Sequence, residues 1–363
     1  MFIHGTDKKL FWTIIILFIG GILILSSASI VLSERNYGTF YFYTLRQILL
    51  GGVAGVIGGI IAMRIPYRLW RKAAVPMMIA SFFLLALLFI PQFSFTHGGA
   101  RRWLSLGPIS FQPAEFLKLS FIIYLASWLD ARRSDLHSIA YGLVPFSLML
   151  AIVGVFLVMQ PDIGTLIIIM ATAGIMYLVG GARWHQLGIL LALGGVVGFF
   201  LIQVAPYRLD RFLVFLKPNY EPQGAGYQII QSLIAIGSGG FWGRGFGMSI
   251  QKYNYLPEPM GDSIFAVYLE EMGFFGAFLL IGVFVFFLWC GLQVARSAKD
   301  HFGKLLAAGI TVGIVIQAFI NMAAISGLLP LTGVPLPFVS YGGTSLMVTL
   351  ISTGILLNIS RNT

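Results

Sequence analysis

The sequence predicts an all-α integral membrane protein that crosses the bilayer about ten times, with both termini in the cytoplasm. Hydrophobic residues fill 58% of the 363 positions and charged residues only 10%. Mean hydropathy is +0.90, and apolar runs of spanning length recur along the chain. An ordinary globular domain carries roughly 25% charged residues, so a water-soluble fold of this composition would expose large apolar patches. Lipid offers the backbone no hydrogen-bond partners, and the period-two pattern of a barrel is missing, so the spans are helices.

A span needs about 20 mostly apolar residues. The first, 10–32, follows Lys8 and Lys9. It lacks a small-residue cleavage pattern and is expected to stay in the mature chain rather than act as a signal peptide. Further spans are expected at 44–63, 73–91, 114–130, 140–159, 166–182 and 187–205, then at 263–292, 305–326 and 344–359. Residues 1–363 therefore form one polytopic domain with a large loop, 206–262, between the seventh and eighth spans. That loop is too long for a passive connector. Its GYQIIQSLIAIGSGG segment has the spacing of a short amphipathic helix near the interface. Glycine and proline gather in GSGGFWGRGFG and LPLTGVPLPFVSYGG, where a shaped, non-helical backbone is expected. No tandem repeat of the kind that marks many transporters is visible.

Orientation follows from the Lys/Arg bias. Lys8, Lys9, Arg64, Arg68, Arg71, Lys72, Arg132, Arg133, Arg183, Arg296, Lys299, Lys304 and Arg361 all fall on one set of alternate ends, and these thirteen cations mark the cytoplasmic side. The loops 92–113, 206–262 and 327–343 then face outside. The net charge of +10 reads as a topology signal and as contact with anionic lipid. The cations are dispersed and no nucleic-acid module is present, so nucleic acid is not an expected partner. The single cysteine, Cys290, lies in an apolar run and offers no disulfide. His4, His97, His137, His185 and His301 have no ligand spacing for zinc.

Ionisable residues at membrane depth cost roughly 2.5–3.5 kcal/mol each at a helix centre, which makes them the first functional candidates. Glu115 and Lys118 open the fourth span at i, i+3 and can pair; the alternative is an interfacial pair that snorkels to the headgroups. Asp262, before Ser-Ile-Phe-Ala-Val, is either a helix N-cap or a general base tuned by a helix N-terminus, lipid and a facing cation such as Lys118. Of Glu270 and Glu271, at least one is expected to face the protein interior. Asp162 in QPDIGT has the setting of an Asx-type turn.

GARRWLSLGPISFQPAEFLKL (99–119), QPDIGT (160–165), YQIIQSLIAIGSGGFWGRGFG (227–247), YLPEPMGDSIFAVYLEEMGFFG (255–276) and LTGVPLPFVSYGGTSLMVTLISTGILLNISR (331–361) together resemble the SEDS family (shape, elongation, division and sporulation). The resemblance covers essentially the whole chain. LPEP, GSGG and GILLNISR look like its cell-division branch rather than its elongation branch. It implies a peptidoglycan glycosyltransferase that polymerises lipid II at the outer face of the cytoplasmic membrane. The family's essential aspartate falls on Asp262 and its fourth-span pair on Glu115 and Lys118. Met260-Gly261 stands where many members carry His-Thr, and Ser110 where some division members have arginine.

The implied reaction joins a sugar hydroxyl to an anomeric carbon whose leaving group is a diphosphate. One carboxylate base suffices, unlike the paired acids of glycoside hydrolysis, and the leaving group needs positive charge. Arg102, Lys118, Arg208, Arg211, Lys217, Arg244 and Lys252 are the outer-side cations. Arg102, Gln112, Arg208, Arg244 and Ser340 are the candidate substrate contacts. No cofactor is fixed by the sequence; a divalent cation, Mg or Mn, is a candidate at the pyrophosphate. The resemblance further implies a class B penicillin-binding protein as partner, with other divisome proteins, undecaprenyl-linked glycan and membrane lipids. Two rival readings stay open. A lipid II flippase would place its site near the midplane, and a non-catalytic divisome scaffold would not need Asp262.

Overall fold

A computed structural model describes residues 6–97, 100–107, 109–204 and 206–362. His4 and Ala205 lie outside them.

Each expected span is occupied by a helix. In chain order these are α1 (Lys8–Tyr37), α2 (Phe42–Arg64), α3 (Arg68–Leu87), α4 (Pro113–Ala131), α5 (Ile139–Met159), α6 (Ile163–Val179) and α7 (Trp184–Val204). Two loop helices follow, α8 (Pro206–Leu216) and α9 (Tyr227–Gly239), and then α10 (Ile264–Ser297), α11 (His301–Ile325) and α12 (Gly343–Arg361). Among the described residues, eight helices are long and apolar enough by themselves to cross a membrane. The two weaker ones have clear reasons: α6 has 17 residues, and α4 carries Glu115, Lys118 and Asp130. The chain is a multi-pass, all-α membrane protein.

One loop departs from a purely helical reading. The 92–113 segment contains a small antiparallel sheet of order β1-β2-β3: Ser94–His97, Ala100–Leu106 and Ile109–Phe111. Its register pairs Phe95 with Trp103 and Leu104 with Phe111. A hydrophilic meander this short gives no strong strand signal beside so many apolar runs, and it delivers the chain to Gln112, the N-cap position of α4.

Small residues set the helix packing, as is usual in lipid. Gly51, Gly55 and Gly59 repeat every fourth residue along α2 and meet α12. A methyl at Gly55 would stand 2.7 Å from Leu350 Cδ1, and one at Gly354 would stand 2.3 Å from the Gly59 carbonyl oxygen. At the start of this contact Gln47 accepts from the Gly342 N–H at 3.0 Å and donates to the Ser340 carbonyl at 3.3 Å. It clamps the end of the 331–341 loop onto α2.

α10 is interrupted at Gly273, whose φ of 63° and ψ of −163° leave the helical region. The break frees backbone groups that need partners at membrane depth. The 206–262 loop supplies them: Arg244 N–H and Gly245 N–H donate to the carbonyls of Glu270 and Glu271 at 3.0 Å each. In return Phe274 and Phe275 N–H donate to Gly240 and Phe241 at 2.9 and 3.1 Å. The approach is so close that a side chain at Gly273 would meet the Gly243 nitrogen at 2.3 Å.

Candidate functional site

Asp262 stands on the Leu-Pro-Glu-Pro-Met-Gly segment just before α10 and is held from three directions. Gln228 of α9 donates its Nε2 to Asp262 Oδ1 at 3.2 Å and to Ser263 Oγ at 3.0 Å. Asn321 of α11 donates to the Asp262 carbonyl at 2.8 Å. Ser340 Oγ donates to the Gly261 carbonyl at 2.7 Å, and Tyr341 N–H to the Met260 carbonyl at 2.8 Å. The N-cap residue of α10 is Ser263, so the Asp262 carboxylate is not spent on helix capping. Burial, and then the nearby negative charge of Glu258, push its carboxyl up to about 6, while the Gln228 hydrogen bond and Arg211 oppose that rise.

Arg211 comes from α8, an amphipathic helix in the 206–262 loop, and donates Nη1 to the Leu331 carbonyl at 3.1 Å. Gly333 lies between it and the carboxylate: a Cβ there would be 3.8 Å from Asp262 Oδ2 and 4.0 Å from Arg211 Nη1. The φ of Gly333 is +69°, a conformation that glycine adopts without steric cost.

Glu115 and Lys118 form the expected pair, with Lys118 Nζ 2.9 Å from both Glu115 oxygens. Lys118 also donates to the Gln317 Oε1. Gln317 Nε2 in turn donates to the Pro335 carbonyl at 2.8 Å. Gln317 and Asn321, one turn apart on α11, hold successive carbonyls of one loop, since Asn321 also donates to Val334 at 2.8 Å. Lys118 is therefore joined to the Asp262 segment only by hydrogen bonds through α11 and the 331–341 loop; the cation whose charge acts on Asp262 is Arg211 rather than the expected Lys118.

The remaining candidates divide. Arg102, on β2, donates to the Gln160 and Pro161 carbonyls at the α5–α6 turn and adds its charge to that of Arg211. Arg208 donates to the Leu201 and Val158 carbonyls at 2.9 and 3.5 Å. Arg244 lies 3.7 Å from Glu270 and donates to the Ser238 carbonyl. The Gln112 N–H donates to Thr344 Oγ1 at 3.3 Å. The Ser340 hydroxyl accepts from Leu336 N–H while donating to Gly261, so both its functions are engaged inside the protein.

Lys252 needs correction. Read as a cation free to meet the leaving group, it is instead 1% exposed, paired with Glu271 at 2.8 Å and with Ser27 at 3.0 Å. Glu271 accepts from Ser27 as well, and Glu270 accepts from Ser249, Ile250 N–H and Gln251 N–H. Both glutamates thus face the interior and anchor the 244–252 loop to α10 and α1. Asp162 caps α6 through Thr165 N–H at 3.2 Å, as its turn setting suggested.

Gln228, Gln317 and Asn321 were not singled out in the sequence. The signal for the last two was present: amides at i, i+4 in the apolar run Ile-Val-Ile-Gln-Ala-Phe-Ile-Asn. Attention to ionisable groups alone passes over uncharged amides.

Fold and site together define a polytopic helical membrane protein whose polar groups converge on one carboxylate at one end of the bundle. The chain belongs to the FtsW/RodA/SpoVE family of cell cycle proteins, which it matches over residues 8–363. It is 41% identical over 342 residues to stage V sporulation protein E of Bacillus subtilis (strain 168), covering 94% of this chain and 93% of that one. It is 39% identical over 360 residues to the probable peptidoglycan glycosyltransferase FtsW of Geobacter sp. (strain M18), covering 99% and 97%. Among solved structures it is similar to a chain from a peptidoglycan synthase complex that coordinates polymerization and crosslinking, with a TM-score of 0.82, 29% identity and coverage of 99% and 98%. It also resembles the rod shape determining protein RodA of Thermus thermophilus, with a TM-score of 0.72, 26% identity and coverage of 99% and 97%.

Proposed function

We propose that this chain is a peptidoglycan glycosyltransferase of the cell-division type, polymerising lipid II at the outer face of the cytoplasmic membrane with Asp262 as general base. The observation that carries the reading is the Asp262 carboxylate itself. It is released from capping, raised to about 6 and set across Gly333 from an exposed guanidinium. A base is most effective when its pKa lies near the operating pH.

In the reaction the acceptor 4-hydroxyl oxygen forms a bond to the anomeric carbon of the lipid-linked donor. The bond from that carbon to the diphosphate oxygen breaks, and its electron pair leaves on the diphosphate. The hydroxyl proton passes to Asp262. Arg211 stabilises the charge growing on the diphosphate, with Arg102 beside it. Lys118, held by Glu115 and Gln317, positions the loop that faces Asp262. Asp262 and Glu258 are the carboxylates that a divalent cation carried by the diphosphate would meet. No group of three or more candidate metal ligands exists among the described residues, so phosphate oxygens would have to complete its shell.

The similarity to probable FtsW glycosyltransferases over nearly the full chain supports the activity. The likeness to a chain of a peptidoglycan synthase complex supports a class B penicillin-binding protein as partner. The test is polymerisation of labelled lipid II by the purified chain with and without that partner. Polymer from the wild-type complex and none from its Asp262→Asn form is the expected result. Transport of lipid II across vesicles without polymer would instead favour the flippase reading.

A further inference from the structure

α4 and α6 end, and α11 begins, at the end of the bundle remote from Asp262. α11 alone has 25 residues, about 37 Å at 1.5 Å per residue. At that end Arg133 and His137, from the α4–α5 turn, meet His301 and Lys304, from the first turn of α11, around a cavity of about 300 Å³ floored by Gly180 and Gly181. No carboxylate lines it. The acids of the adjoining segments have partners of their own, and Asp130 also reaches the cavity wall, at His301. Asp130 pairs with Arg71 at 2.8 Å, and Asp300 accepts from Arg68, Tyr67 and the Gly303 N–H at 2.9, 2.9 and 2.7 Å. Asp135 accepts from Ser134. Among the described residues neither Arg133 nor Lys304 has a carboxylate partner. His301 Nδ1 lies 3.4 Å from Asp130 yet is buried without a hydrogen bond.

Two fixed cations, Arg133 and Lys304, around one void repel each other and attract an anion, and the imidazoles of His137 and His301 offer N–H donors beside them. The volume equals that of about ten waters at roughly 30 Å³ each, enough for a phosphodiester and its glycerol. Tyr141 and Trp184, 67% and 82% exposed, stand at the same end of the bundle, as aromatics at a membrane interface do. Basic pockets between spanning helices on the cytoplasmic side bind anionic headgroups. We infer that this cavity binds the phosphate of an anionic phospholipid headgroup through Arg133 and Lys304, with His137 and His301 completing its wall. This site is independent of the chemistry assigned to Asp262.

The experiment is native mass spectrometry of the full chain released from micelles containing phosphatidylglycerol, phosphatidylcholine or inorganic phosphate alone. Wild type should retain phosphatidylglycerol over phosphatidylcholine, and Arg133→Gln/Lys304→Gln should reduce that preference about tenfold or more, since each cation near the surface contributes several-fold to anionic-lipid binding. A control pair outside the cavity, Lys72→Gln/Arg132→Gln, removes the same charge and should leave the preference near wild type. Inorganic phosphate should not displace the lipid; its retention in place of lipid, lost in the same double variant, would overturn the lipid assignment in favour of a free-phosphate site. Equal lipid retention by wild type and the cavity variant, or equal loss in the control pair, would overturn the site itself.

Discussion

Asn321 reaches Asp262 through its backbone: one amide nitrogen donates to the carbonyls of Asp262 and Val334, at 2.8 Å each. A single side chain of α11 thus sets the distance between the segment that carries the carboxylate and the loop that faces it. Asn321→Leu would leave both carbonyls without that donor, at about 1–3 kcal/mol each. Polymerisation is expected to fall by about 10²-fold, the scale on which a 1 Å misplacement acts, with partner binding retained. Initial rates on lipid II, alongside co-purification of the partner, decide this; an unchanged rate would show that the spacing is unimportant.

Asp262→Asn should lower glycan synthesis by about 10²–10⁴-fold, the range for losing a general base. Stability should move the other way. The folded-state value near 6 lies above the ordinary 3.8, so the fold favours the protonated acid and the anion is penalised as pH rises from about 4 to 6. The Asn variant should therefore melt higher than wild type at pH 7.5, and the gap should narrow as pH falls through 6. Melting curves of the detergent-solubilised pair across that range check the sign.

Arg211 lowers the Asp262 value that burial raises. Arg211→Gln should push the acid limb of the pH–rate profile to higher pH, besides reducing the maximal rate at least about tenfold through loss of a charge-assisted contact to the diphosphate. A lower rate with an unmoved acid limb would place Arg211 away from the carboxylate.

Lys252 and Glu271 make a buried ion pair at 2.8 Å. Lys252→Met strands the glutamate and should destabilise the protein by about 3–5 kcal/mol, whereas Lys252→Met/Glu271→Leu should recover most of that loss. Thermal melts of the two variants against wild type test it. A single variant as stable as wild type would mean the pair is dispensable to the 244–252 loop.

Orientation is open to labelling. Met248 is 65% exposed in the 206–262 loop, and Arg132 lies at the other end of the bundle. An impermeant maleimide applied to intact cells should modify Met248→Cys and spare Arg132→Cys. The reverse pattern would invert the topology.

The sequence by itself determined the solvent and the elements. Apolar runs of spanning length in a chain with 10% charged residues leave no alternative to helices in lipid, and a helix occupies each expected span. Asp262, Glu115 and Lys118 stood out because a charge near lipid is costly enough to need a purpose.

Only the tertiary structure decided what those charges touch. Lys252 and Arg244 look equivalent to Arg211 in a list of outer cations, yet Glu271 buries the first and Glu270 holds the second, while Arg211 turns toward Asp262. Spacing along one chain says which residues share a helix face, not which distant loop folds against it. Gln228, Gln317, Asn321 and Gly333 meet at the site from separate segments. Their roles come from hydrogen-bond geometry between segments far apart in sequence, and one-dimensional periodicity carries no record of that geometry.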